Sequence, residues 1–314
     1  MKDIQKILEN VYKKTKRYKK GKVASYIPEL KKTDPNIFSI SICLIDGTIY
    51  NIGDTSKKVS MQSISKVLAL FLAIRDNGIP SIQKKIGSYG SFLPFDSITA
   101  IEISKNHTLN PFVNAGAIST TSTIKNKNKK DFWNKVYKNA NNFAGVKLQC
   151  NKKVYDSEMK TNQRNVSLAY LLESKKKMYN TVDDTIDIYT KHCSLMVNSD
   201  NLATISCVIA NEGIHPITKK KIMTKKECNY ITGQVLGNGM YEYSDTWLIE
   251  TGVPAKSGVG GGILAIIPGL MGIGIISPRL DTNRNSVRGI EVIKELSKIL
   301  NLSLITKPVC DNVI

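Results

Sequence analysis

The sequence is short of histidine, acid and aromatic residues. Its three histidines, His107, His192 and His215, are too few and too scattered for a His-rich metal centre. Its six cysteines, Cys43, Cys150, Cys193, Cys207, Cys228 and Cys310, include no Cys-x-x-Cys pair and lie in apolar or mixed surroundings. Aromatics make up 7% of the chain and seldom alternate with lysine, unlike a stacking platform for nucleic-acid bases. One long stretch without charge exists, residues 257–278, but Pro268 and Gly269 interrupt its middle and four glycines crowd its start. Two buried strands joined by a tight turn fit it better than a membrane-spanning helix. The N-terminus is amphipathic and lacks the apolar core of a signal peptide, so a soluble, cytoplasmic protein is expected.

What the chain does have is core material and lysine. Of 314 residues, 41% are hydrophobic and 23% charged, which excludes a disordered, collagen-like or disulfide-stapled protein. The length allows about two domains at ~150 residues each, or one larger unit. Lys plus Arg number 45 against 26 Asp plus Glu, a formal charge of +19. Much of the excess falls in clusters at 13–22, 125–138 and 219–226. These read as a solvated lysine-rich surface, with neither nucleic acid nor membrane insertion expected; a non-catalytic binder of RNA or acidic lipid is the rival from another class.

Periodicity predicts a surface helix at 4–20, strands at 37–45 and 48–52 around Asp46-Gly47, and a helix with a wide buried face at 62–75. Residues 98–220 read as largely helical, best at 164–172, 182–193 and 201–211, with breaks at Asn110-Pro111 and near 125. Strands return at 262–267 and 270–276, and a last helix covers 287–300. Strands at both ends around a helical middle imply one antiparallel sheet rather than repeated βαβ units.

The local chemistry centres on Ser63-Ile64-Ser65-Lys66 at the start of the 62–75 helix. Serine and lysine three apart share a helical face, and a desolvated amine can activate a hydroxyl. By itself the motif reads first as a helix cap, since serine near a helix start most often has that role. Lys256-Ser257-Gly258 leads into a glycine-rich run and resembles the K-T-G element that accompanies S-x-x-K in serine β-lactamases and penicillin-binding proteins. Its glycines could admit backbone to an oxyanion, or form a turn feeding a hairpin. Asn114, Glu158, Asn165, Tyr189 and Tyr241 lie in compact motifs as core brackets or as readers of a substrate.

Together these residues resemble the serine-dependent glutaminase family. The resemblance is carried by VASYIPEL at 23–30, QSISKV at 62–67, NPFVNAGAI at 110–118, SE at 157–158, RN at 164–165, NGMY at 238–241, GVPAKSGVGGGILAIIPG at 252–269 and SP at 277–278. It implies an α+β fold of the β-lactamase/transpeptidase class: an antiparallel sheet flanked by helices, with a helical subdomain. The organisation that follows is a basic N-terminal helix at 1–22, sheet and flanking helices at 23–60 and 220–302, a helical subdomain bearing the Ser-x-x-Lys helix at 61–219, and a tail at 303–314. The implied reaction converts L-glutamine to L-glutamate and ammonia without metal or cofactor, in a homodimer or homotetramer.

By the same resemblance Ser63 is the nucleophile, Lys66 its partner and Tyr241 the hydroxyl that shuttles the proton. The backbone N–H groups of Ser63 and Val259 form the oxyanion hole, and Tyr26, Asn114, Glu158, Asn165 and Tyr189 contact substrate. Two departures stand out: family members usually carry Pro-Ser-Gly before Phe-Asn, where this chain has Gly90-Ser91-Phe92 and then Phe95-Asp96, and a late Gly-Asn-Ser reads Arg284-Asn285-Ser286. A penicillin-reactive serine enzyme on the same fold is the rival within the class.

Overall fold

Alternation of glycine and isoleucine along Met271–Ile276 decides how the centre of the molecule is layered. The structure, a computed structural model, describes residues 3–306. Cys310 and most of the tail expected at 303–314 lie outside the described residues.

Met271–Ile276 is the middle strand of a five-stranded antiparallel sheet. On one side it pairs with Ser39–Leu44, which pairs in turn with Ile49–Gly53; on the other lie Gly262–Ile267 and the edge strand Ala255–Gly258. Successive residues of a strand point to opposite faces. Ile273 and Ile275 join Ile40, Ile42, Val292 and Ile293 in a core beneath the helices Ile4–Lys16 and Val287–Leu300. Gly272 and Gly274 face the other way. A Cβ on them would fall 2.2 Å from the Ala203 carbonyl oxygen and 2.1 Å from that of Ser199, so only hydrogen lets the helix Ser199–Ala210 lie directly on the strand.

Beyond that helix sits Ser65–Asn77, whose residues 65–74 are all buried. A helix apolar all round must be sheathed by other helices. Here the sheath is Asn114–Ser122, Lys129–Ala144 and Lys225–Asn238, and the shared core reaches Leu264 and Ile276 of the sheet. Gln163–Ser174 and Val182–Cys193 pack on Asn114–Ser122 and close the helical side. A small sheet of Val59–Ser60, Leu195–Val197 and Gln149–Cys150 ties the approach to Ser63 to this helical region.

The expected fold class is the one found: an antiparallel sheet flanked by helices, with a helical subdomain. Strand 262–267 and the helices at 182–193 and 287–300 fall where periodicity put them. The first helix stops at Lys16 rather than at 20. Ala255–Gly258, read as a lead-in, is itself a strand. Among the described residues no helix is long and apolar enough to cross a membrane.

Candidate active site

Ser63 does not sit in a regular α-helix. It occupies a 3₁₀ turn, Gln62–Ile64, that runs straight into Ser65–Asn77, and it is entered through Gln62 at φ +49°. A non-glycine residue in the left-handed region is strained and must be held by its surroundings. Gln62 is buried, and its amide donates to Ser60 Oγ (3.3 Å) and to Glu158 Oε2 (3.2 Å). Met61 N–H is anchored on the Leu195 carbonyl at 2.7 Å. The strained turn leaves Ser63 partly exposed in a cavity of about 180 Å³.

Lys66 lies one turn further on, 2% exposed. Its Nζ donates to the Phe112 carbonyl (2.8 Å) and to Asn114 Oδ1 (2.7 Å). Burial without a contacting carboxylate pushes the amine down to about 7, against an ordinary value near 10.5. Asn114 is placed by its neighbours. Asn110 Oδ1 accepts from the N–H groups of Phe112 (3.0 Å) and Val113 (3.1 Å), building the turn that starts helix Asn114–Ser122. The Asn114 amide nitrogen then donates to Asn165 Oδ1 at 3.0 Å. Lysine, Asn114 and Asn165 thus form one hydrogen-bonded chain along the cavity.

Glu158 is 6% exposed, and burial raises its carboxyl to about 7, opposed by the Gln62 hydrogen bond and the Lys66 charge. Tyr189 and Tyr241 are both buried, and burial raises both phenols. A hydrogen bond to Ser63 works the other way on Tyr241. Tyr241 is a second left-handed residue, at φ +57°, and its ring centroid lies 5.3 Å from Lys66 Nζ. Val259 is bracketed by glycines that press its backbone against the Ser63 turn. A Cβ on Gly258 would meet the Met61 carbonyl oxygen at 2.8 Å, and one on Gly260 the Ser60 carbonyl oxygen at 2.2 Å.

Seven of the nine residues named from sequence (Tyr26, Ser63, Asn114, Glu158, Asn165, Tyr189 and Val259) line this one cavity. The other two stand beside it, Lys66 through Asn114 and Tyr241 through Ser63. Sequence reasoning missed Gln62, Cys193, Phe95 and Arg284, which also line it. Gln62 had a local signal, being adjacent to Ser63. Lys256 was seen as part of a motif but not assigned to the site. It is wholly buried, donates to the Ser257 carbonyl at 2.7 Å and lies 3.8 Å from the Tyr241 ring centroid; burial, then the Lys66 charge, hold it well below the usual lysine range.

A larger, more open cavity of about 820 Å³ adjoins the first and shares Tyr26 and Arg284 with it; Lys20 and Lys22 from the first lysine cluster line its wall. His192 is buried in the helical region and held down at about 3 by burial. Among the described residues no group of three or more His, Cys, Asp or Glu gathers as a metal site would require.

Comparison with known proteins identifies the family and the fold. The family model described as Glutaminase matches residues 21–305. A glutaminase of Colwellia psychrerythraea is 41% identical over 96% of this chain and 97% of its own, and one of Clostridium tetani 38% over 96% and 99%. Among solved structures, one described as probable glutaminase ybaS superposes with a TM-score of 0.95 at 36% identity, covering 97% of this chain and 98% of its own. A probable glutaminase from Bacillus subtilis, complexed with 6-diazo-5-oxo-L-norleucine, gives 0.84 at 28% identity, over 96% and 95%.

Proposed function

The chain belongs to the glutaminase family and is a glutaminase; from that premise we propose that it converts L-glutamine to L-glutamate and ammonia through a γ-glutamyl ester on Ser63. The observation that carries this reading is the Lys66 amine, enclosed and lowered to about 7, one helical turn from a hydroxyl that faces the cavity.

In the first half-reaction neutral Lys66 takes the Ser63 proton, assisted by the Tyr241 phenol, and Oγ attacks the carboxamide carbon. The developing oxyanion is met by the backbone N–H groups of Ser63 and Val259. Return of the proton to the amide nitrogen breaks the C–N bond and frees ammonia. Water then attacks the ester, giving its proton to the same relay, and glutamate leaves as Ser63 is reprotonated. Glu158 supports the reading as the partner of the substrate ammonium. Asn114, Asn165, Tyr26 and Tyr189 supply neutral polar groups for the rest of the molecule.

Ammonia release tests this directly. Wild type should release ammonia from glutamine and far less from asparagine, and Ser63→Ala should release none. Acid-quenched turnover should yield protein heavier by one glutamyl group on Ser63, and its absence with slow deacylation would remove the ester. A β-lactam that acylates Ser63 while glutamine is untouched would replace the reading altogether. The same proposal includes a cytoplasmic homodimer or homotetramer, which a monomer mass by light scattering would contradict.

A further inference from the structure

Arg284 stands where the resemblance leads one to expect glycine, and its backbone keeps the glycine conformation, φ +62°. The neighbours hold it there: Asn285 and Ser286 are wholly buried, Asn285 N–H donates to Asp281 Oδ1 at 2.8 Å, and Ser286 Oγ donates to the Ser277 carbonyl at 2.7 Å. An L side chain in that region is a standing strain. Among the described residues no hydrogen bond or ion pair of the side chain offsets it.

The side chain instead projects over the site. Its guanidinium carbon lies 4.7 Å from the Phe95 ring centroid and 5.5 Å from that of Tyr26, held between aromatic faces. Among the described residues no carboxylate or carbonyl accepts a hydrogen bond from it, so its N–H fork is uncommitted. Arg284 and Tyr26 form the boundary between the inner and outer cavities. The other arginine on the inner rim, Arg164, spends its Nε–H on the Asp96 carbonyl at 3.0 Å. The charge of Arg284 reaches inward, since it lowers the Tyr26 and Tyr241 phenols against the opposing effect of burial.

We infer that Arg284 is a specificity-determining residue that reads the α-carboxylate of the substrate at the mouth of the cavity. This rests on the glutamine reading of the site. Glutamine is a zwitterion: its amide must reach Ser63, and its ammonium suits Glu158, deep in the cavity. The α-carboxylate is its one anionic group, and beside the neutral donors of the cavity Arg284 offers it a cation that is not already occupied. A planar guanidinium with free parallel donors matches a carboxylate in geometry and charge.

The test measures ammonia release from L-glutamine and from its α-amide, in which the carboxylate is neutral, with wild type, Arg284→Met, Arg284→Lys and Arg284→Gly. Arg284→Met and Arg284→Gly should raise KM for glutamine roughly five- to tenfold, with kcat moving less than about twofold. Preference for glutamine over its α-amide should shrink by the same factor. Arg284→Lys should fall between, and the salt dependence of kcat/KM should flatten in Arg284→Met. Calorimetry in a Ser63→Ala background should give the same ordering of affinities, independent of chemistry. If wild type is active and Arg284→Gly keeps both its KM and its preference, the inference is overturned. If wild type leaves glutamine intact, the glutamine reading itself falls and takes this one with it.

Discussion

Lys66 Nζ lies 2.7 Å from Asn114 Oδ1, in a pocket that gives the amine two neutral acceptors and no contacting counter-charge. Two good acceptors orient the amine, and burial drives off its extra proton. The pair therefore makes a lysine that is half neutral near pH 7, where an exposed one would be almost wholly charged.

The pH profile should carry that signature. Lys66 works as a base only when neutral, so kcat/KM should rise with pH through about 7 and level off above it. Glu158 must be ionised to hold an ammonium, and its carboxyl also titrates near 7. Below the two, log kcat/KM should climb with a slope near 2, as two coupled deprotonations require. A flat profile between pH 5 and 9, measured by ammonia release, would contradict both assignments.

Glu158→Gln separates the two groups. The variant should raise KM by about tenfold or more, as loss of a charged hydrogen bond predicts, while kcat changes less. Its acid limb should drop to a slope near 1, because only Lys66 still titrates. A slope that stays at 2 would remove Glu158 from the profile.

Asn114→Ala should lower kcat/KM by about 10- to 100-fold. The substitution takes an acceptor from Lys66 and a donor from Asn165 at once. It should also shift the acid limb, because the amine is no longer positioned. Steady-state constants equal to wild type would end its assigned role.

Gly260→Ala introduces a Cβ 2.2 Å from the Ser60 carbonyl oxygen, two residues ahead of the strained Gln62. Backbone must move to accept it, and the contact lies between the two halves of the proposed oxyanion hole. We expect kcat to fall by 10²-fold or more, about what loss of one oxyanion donor costs. Overpacking should also lower stability by about 1–3 kcal/mol, visible as a lower Tm. Full activity with an unchanged Tm would show that Val259 is not pressed against Ser63.

Periodicity was enough for elements that bury a regular face. Val287–Leu300 carries Ile290, Ile293 and Leu296 on one side, and Gly262–Ile267 is apolar throughout. It failed where burial contradicts residue type. Ala255–Gly258 offers Lys256 and three small residues, none a strong strand former, and pairing with Gly262–Ile267 makes the strand. The site was legible through motif combination rather than through any one residue. The left-handed backbone at Gln62, Tyr241 and Arg284 was not legible, because none of the three is a glycine. Arg284 showed in the sequence only as a departure; its place at the mouth required the fold.

The pairing of Ser39–Leu44 with Met271–Ile276 also sets an order of events during synthesis. Ile42 and Ile273 face each other across more than two hundred residues of intervening chain, so the strand emerging first waits for its partner for roughly ten to fifty seconds at ordinary ribosome speeds. Until then it has one neighbour, Ile49–Gly53, and an open edge that invites association with other chains. Ser63 is made early in that interval and Val259 near its end. The nascent chain therefore carries its nucleophile throughout but acquires the groove around it last. A chain that stops before Met271–Ile276 should be inert as well as prone to aggregate.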